Sequence, residues 1–244
     1  IAKGITHIDT AETYAAGHAE ELVAAAIGDL DIRERLLLAS KVSGEHQGYD
    51  GVMSACEQSL KRLKTTYLDL YLLHEYSEEH SLRETVRALD ELKGAGLIRS
   101  IGVSNFGVEH LKEVQSYSAY PIVCNQVHYN LRAREAERSG LLSFCQENDI
   151  ILVAYRPTEK GKLFSKPPKI IQEMCAKYDK TFPQVALNWL ISQSHVAVIA
   201  KTRNPDHLDE NLGAVGWRME QQDIEMLRER FPGQIPVSDV IPLG

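Results

Sequence analysis

The stretch LLLASKVSGEHQGYDGVMSACEQSLKRLKTTYLDLYLLH, residues 36–74, carries two apolar runs, LLLASK (36–41) and LDLYLLH (68–74), on either side of a segment with helical spacing. Within that segment Val52, Cys56, Leu60 and Leu63 recur every three or four residues, the signature of one helical face. The alternation extends in both directions. ITHID (5–9) precedes it, and IRSIGVS (98–104), IVCNQV (122–127), ILVAY (151–155) and VAVIAK (196–201) follow, with Leu82, Val86, Leu89 and Leu92 marking a further helix. Seven near-continuously apolar strands separated by helices predict an α/β fold with a parallel sheet under helices, by doubly wound or barrel topology.

Polar residues close these runs: Asp9, Lys41, His74, Ser104 with Asn105, Gln126, Tyr155, and Lys201 with Thr202. Each alone has an ordinary explanation as a turn cap, a solvated charge or a hydrogen-bonded core histidine. Together they favour a barrel, whose strand C-termini share one face where enzymes assemble their chemistry. No Pro/Gly/Ser-rich linker or repeat beyond the strand–helix unit interrupts the chain, so residues 1–244 read as a single barrel domain.

The chain has 244 residues, 43% of them hydrophobic and 25% charged, which excludes disordered and fibrous classes. Lysine and arginine number 27 against 34 acidic residues, a net charge of -7, so nucleic acid is not an expected partner. The sequence has no apolar stretch of membrane-spanning length and no signal-peptide layout at its start, and the cytosol is the default expectation. Cys56, Cys124, Cys145 and Cys175 are too widely spaced for zinc or thioredoxin chemistry and read as reduced thiols.

Asp9, Tyr14, Lys41 and His74 end or follow the first three strands. A free phenol keeps its proton to about pH 10, and a nearby ammonium favours the phenolate. Lys41 would supply that charge, Asp9 would hold Lys41, and His74 would orient a carbonyl oxygen towards Tyr14 as proton donor. These four side chains cannot deliver two electrons, so the set calls for a hydride-carrying cofactor.

The same residues resemble the aldo-keto reductases, NAD(P)H-dependent (β/α)8 TIM-barrel oxidoreductases, along the whole length of the chain. GITHIDTAETY (4–14) is similar to that family's Asp-Thr-Ala-x-x-Tyr signature, SKV (40–42) to its lysine strand and LYLLH (70–74) to its histidine strand. GVSNF (102–106) and NQVHYN (125–130) resemble motifs whose side chains, here Ser104, Asn105 and Gln126, hold the nicotinamide carboxamide. AYRP (154–157) implies that Tyr155 stacks on the nicotinamide. VIAKTRNPDHLDEN (198–211) implies that Lys201, Thr202, Arg203 and Asn211 grip the adenosine 2′-phosphate, with Glu210 near the adenine. GHAEE (17–21), EKGKLF (159–164) and GAVGWR (213–218) resemble archaeal and bacterial members.

The resemblance implies reduction of aldehydes or ketones to alcohols, and the reverse, with NADPH as cofactor and NAD as a second carrier. Arg156 stands where a serine near the pyrophosphate is common, and His207 where an arginine often meets the 2′-phosphate, which weakens the NADP preference. Glu75 replaces an aromatic residue that often lines the substrate pocket, implying a more polar pocket. Family members usually carry a further strand and helix before the Asp-Thr-Ala strand. With seven strands evident, the expectation is a barrel with an open edge, marginally stable, weaker in cofactor binding, and associating through that edge unless complete as a monomer.

Other motifs are poorer fits. His74, Glu75 and His80 give H-E-x4-H rather than the zincin H-E-x-x-H, so no metal is expected. Phe106 stands where the hydrolase elbow needs its second glycine, and no glycine-rich phosphate loop occurs. A non-catalytic cofactor-binding interaction subunit of the same fold is the alternative, against which the intact Asp9, Tyr14, Lys41 and His74 argue.

Overall fold

Every apolar run carries a strand: ILVAY matches its strand, IVCNQV gains one residue, LLLASK shifts by one, and the other four strands are shorter than their runs. The computed structural model describes residues 3–28, 31–164 and 166–243. Its strands are β1 (His7–Asp9), β2 (Leu37–Val42), β3 (Leu70–Leu73), β4 (Ile101–Ser104), β5 (Ile122–His128), β6 (Ile151–Tyr155) and β7 (Val196–Val198), and they follow chain order through the sheet. The chain divides into two compact units, Ile1–Asn125 and Gln126–Leu243. Among the described residues no helix is long and apolar enough to cross a membrane.

In the first unit β1 pairs in parallel with β2, β2 with β3 and β3 with β4. Leu38, Ala39, Val42, Leu72, Leu73, Ile101 and Val103 are buried, as near-continuous apolar strands of a helix-covered parallel sheet should be. The intervening helices are α1 (His18–Ile27), α2 (Tyr49–Leu63), α3 (Leu82–Gly94) and α4 (Val108–Tyr117). Val52, Cys56, Leu60 and Leu63 of α2, and Leu82, Val86, Leu89 and Leu92 of α3, are all buried, so the three-and-four spacing marks the packed faces.

Gly102 in β4 is a close-approach position. A Cβ there would stand 2.7 Å from Cys124 Sγ and 3.2 Å from both Leu70 Cδ1 and Leu72 Cγ. Gly102→Ala should therefore overpack this face and lower unfolding stability by about 1–3 kcal/mol, read as a smaller denaturation midpoint. An unchanged midpoint would mean the neighbouring strands yield without cost.

The second unit pairs β6 with β7 in parallel and carries helices α5 (Glu135–Arg138), α6 (Leu141–Glu147), α7 (Lys169–Tyr178), α8 (Phe182–Ile191), α9 (Pro205–Leu212) and α10 (Gln221–Arg230). Helix α8 begins in a capping box between Thr181 and Gln184 and buries Phe182, Val185, Leu187 and Trp189. Cys56, Cys124 and Cys145 are buried free thiols and Cys175 is half-buried; burial pushes the Cys56 and Cys145 thiols up to about 12.

Candidate active site

In the first unit the parallel register sets Asp9 beside Ala39 and Lys41 beside Leu72, so acid and lysine emerge from neighbouring strands. Lys41 is 1% exposed, and its Nζ donates to Asp9 Oδ1 at 2.5 Å and to the Thr10 carbonyl at 2.7 Å. Both contacts fix the ammonium at the mouth of β2. Beyond β1 the chain turns at Tyr14, whose N–H donates to the Ala11 carbonyl. Ala15, Ala16 and Gly17 then adopt left-handed φ angles of 51°, 52° and 89°, carrying the chain into α1.

The Tyr14 ring meets His74 edge-on, with centroids 5.6 Å apart and planes at 75°. Lys41 Nζ lies 5.0 Å from the Tyr14 ring centroid. Tyr14 is 41% exposed, so this face of the ring is accessible to a reactant. Burial, and then the charge of Lys41, hold the His74 imidazole below its ordinary range against the opposing pull of Glu75, Asp9 and Glu12. Its Nδ1 is 3.4 Å from Thr13 Oγ1. At neutral pH the ring is uncharged and offers one N–H donor.

Asp9, Tyr14, Lys41 and His74 are thus brought together. Ser104 and Asn105 join them: Asn105, left-handed at φ 60°, donates from Nδ2 to the His74 carbonyl at 3.2 Å and to Ser104 Oγ at 3.0 Å. The sequence pattern assigns no role to Thr13, to the Thr10 carbonyl or to Glu12. Glu12 accepts the Ser43 N–H at 2.7 Å, and Glu75 accepts that of Gly44 at 2.7 Å, so two carboxylates pin the segment after β2. Only the adjacency of Glu12 and Thr13 to Tyr14 hints at this. The Glu75 side chain is committed to Gly44, and His80 Nε2 lies 3.0 Å from the Glu45 carbonyl.

In the second unit Gln126 is buried on β5 and Tyr155 half-buried at the end of β6. The Tyr155 ring lies parallel to the His128 imidazole, with centroids 5.7 Å apart and planes at 9°. Arg156 follows in the left-handed region, φ 50°, its carbonyl accepting Asn130 Nδ2 at 2.9 Å.

After β7 the chain reaches α9, capped by Asn204, whose Oδ1 accepts the Asp206 N–H at 3.0 Å. Thr202 Oγ1 accepts the Asn204 N–H at 3.1 Å, shaping the approach to the helix. Lys201, Arg203 and His207 are exposed around this N-terminus, while Glu210 and Asn211 are half-buried in its later turns. Lys201 and Arg203 thus stand near the end of the helix where its dipole is positive.

The profile of the Aldo/keto reductase family matches residues 1–230. The chain belongs to that family. This aldo/keto reductase is 36% identical over 233 residues to the methylglyoxal reductase YeaE of Escherichia coli (strain K12), covering 94% of this chain and 81% of that one. Among solved structures it resembles the thermostable aldo-keto reductase Tm1743 in complex with the inhibitor epalrestat: TM-score 0.90, 43% identity, 93% of this chain and 83% of that one. An aldo-keto reductase from Klebsiella pneumoniae in complex with NADPH matches with TM-score 0.87 and 35% identity, over 100% of this chain and 85% of that one. The fold class is the (β/α)8 barrel of the family, with seven strands among the described residues.

Proposed function

We propose that this aldo/keto reductase reduces small aldehydes or ketones to alcohols with NADPH, using residues 1–244 as one barrel domain. The observation that carries the reading is the Lys41–Tyr14–His74 cluster, a phenol packed between a buried ammonium and an uncharged imidazole. His74 donates a hydrogen bond to the carbonyl oxygen and orients it. Tyr14 gives its proton to that oxygen as negative charge develops there. Lys41, held by Asp9 and the Thr10 carbonyl, stabilises the phenolate left behind.

The chain's donor set fits a nicotinamide dinucleotide phosphate, which when bound supplies the hydride. Ser104, Asn105 and Gln126 offer hydrogen bonds for its carboxamide and Tyr155 a stacking surface. Arg156 serves the pyrophosphate. Lys201, Thr202, Arg203, His207 and Asn211 serve the 2′-phosphate, with Glu210 towards the adenine. His207 in place of a permanent cation leaves room for NAD. The same reading has a cytosolic enzyme whose partners are small molecules rather than nucleic acid or membrane.

The test is oxidation of NADPH by the purified protein in the presence of methylglyoxal, the substrate named for the Escherichia coli relative, followed by loss of cofactor absorbance. Turnover supports the reading; NADPH binding without turnover of any aldehyde would replace it with a cofactor-binding subunit. On cofactor choice, Arg203→Ala should raise the KM for NADPH about tenfold, the scale of one charge-assisted hydrogen bond, and leave the KM for NADH nearly unchanged. An equal rise for both cofactors would remove Arg203 from the 2′-phosphate.

A further inference from the structure

Behind Tyr155 lies a buried polar network that the reaction scheme does not use. His128, nearly inaccessible at the end of β5, turns its two ring nitrogens to different partners. Nε2 contacts the Glu159 carboxylate, and Nδ1 lies 2.9 Å from Ser238 Oγ. Ser238 Oγ accepts the N–H groups of Val240 at 3.1 Å and Ile241 at 3.3 Å, leaving its own O–H to donate to Nδ1. The ring proton therefore sits on Nε2 and is donated to Glu159. Asn130 Nδ2 adds bonds to Glu159 Oε1 at 2.8 Å and to the Arg156 carbonyl at 2.9 Å. Burial would raise the Glu159 carboxyl, yet the hydrogen bonds from His128 and Asn130 outweigh it and bring it down to about 2, so it is ionised at working pH.

Candidate metal-ligating atoms of His128, Glu159 and Asp239 lie within 4.8 Å of one another, a spacing compatible with a metal's ligand set. The ring geometry speaks against that use. Both ring nitrogens already have protein partners, Nε2 the Glu159 carboxylate and Nδ1 the Ser238 hydroxyl, while Asp239 stands 3.8 Å away on the Nδ1 edge, opposite Glu159. The arrangement instead resembles the outer support of a site. His128 presents its face to Tyr155, Asn130 holds the left-handed Arg156 by its carbonyl, and Glu159, itself left-handed at φ 50°, joins the two. Non-glycine residues keep such backbone conformations only where their surroundings hold them.

We propose that His128, Asn130 and Glu159 are positioning residues for the cofactor, fixing the Tyr155 ring plane and the Arg156 backbone, and that Ser238 ties this support to the C-terminal segment. The segment is fastened a second time by Glu135, which accepts the Ser238 N–H at 2.8 Å and the Leu243 N–H at 3.1 Å. Cofactor affinity is thereby linked to residues 238–243. The proposal rests on the reading of Tyr155 and Arg156 as cofactor contacts.

The experiment compares the wild-type chain with Glu159→Ala, Glu159→Gln and Ser238→Ala, measuring the NADPH dissociation constant by quenching of tryptophan fluorescence, the kcat and KM for an aldehyde, and the melting temperature. Glu159→Ala should weaken NADPH binding about 10- to 100-fold, the loss of hydrogen bonds to a buried charged group, with the aldehyde KM little changed. Glu159→Gln keeps an oxygen acceptor for His128 and Asn130 and should bind NADPH within about threefold of wild type. Ser238→Ala, remote from the cofactor contacts, should cost about fivefold, one neutral hydrogen bond. A lower melting temperature in Glu159→Ala with the NADPH constant unchanged would overturn the proposal, leaving a structural network only. Equal weakening by Ala and Gln would overturn it as well, because the acceptor geometry would then not matter. If Glu159→Ala does not fold, Glu159→Asp, which withdraws the carboxylate by one methylene, carries the same comparison. A wild-type chain that fails to bind NADPH would instead remove the cofactor reading itself, a distinct result.

Discussion

Tyr14→Phe is expected to lower kcat for aldehyde reduction by about 10²- to 10⁴-fold, the scale of a positioned proton donor, while NADPH binding stays within about threefold. The substitution isolates the oxygen. A phenyl ring can keep the edge-on contact with His74 and the approach of Lys41, because both are contacts of the aromatic ring. Tyr14 is also substantially exposed, so losing the hydroxyl creates no buried cavity or orphaned donor. Melting should therefore be almost unaffected, separating chemistry from folding. A kcat within tenfold of wild type would dismiss Tyr14 as the proton source and move the search to solvent or to His74.

The second large effect concerns the ion pair beneath that ring. Lys41→Met keeps the aliphatic length of the side chain but removes the ammonium from beside the Asp9 carboxylate, which is itself 10% exposed. The pair as a whole adds little net stability, since two charges have been taken from water to form it. Removing one partner is different, because a largely buried carboxylate then loses the ammonium that balances it, at a cost of about 3–5 kcal/mol. For a chain of this size the melting temperature should fall by about 6–20 °C. Asp9→Asn combined with Lys41→Met should regain a good part of that loss, being less destabilised than the two single effects added together. Additive losses in the double variant would mean that Lys41 is held mainly by the Thr10 carbonyl rather than by Asp9. Activity should fall in both single variants, with Lys41→Met the more damaging because the phenolate loses its counter-charge.

The strands were legible because burial on both faces writes them as apolar runs, and each run carries its strand. Their ends were less so. LDLYLLH narrows to Leu70–Leu73, with Leu68 reduced to an isolated bridge to Ile98, and VAVIAK narrows to Val196–Val198, because hydrophobicity reports burial rather than pairing. Asp9, Lys41 and His74 could be read as a group since Asp9 ends β1, Lys41 is one residue short of the end of β2 and His74 directly follows β3 in a parallel sheet. Thr13 as a partner of His74, or Glu159 as a partner of His128, could not: such contacts join residues far apart in the chain and depend on loop conformation. The left-handed backbone at Asn105 has a local cause in asparagine's tolerance of that region, whereas at Arg156 no local preference announces it.

Strand order in the first unit also bears on how the chain reaches its fold. Asp9 pairs with Ala39, Ala39 with Leu70 and Tyr71 with Ile101, so each new strand meets a partner laid down about 30 residues earlier. Loop-closure entropy depends on that separation and is nearly the same at every step. The sheet can therefore lengthen at one edge, each strand docking on a template already formed and none waiting for a distant partner. During synthesis this permits assembly in the order of translation, with the Asp9–Lys41 pair closed before β3, and the His74 that follows it, have emerged.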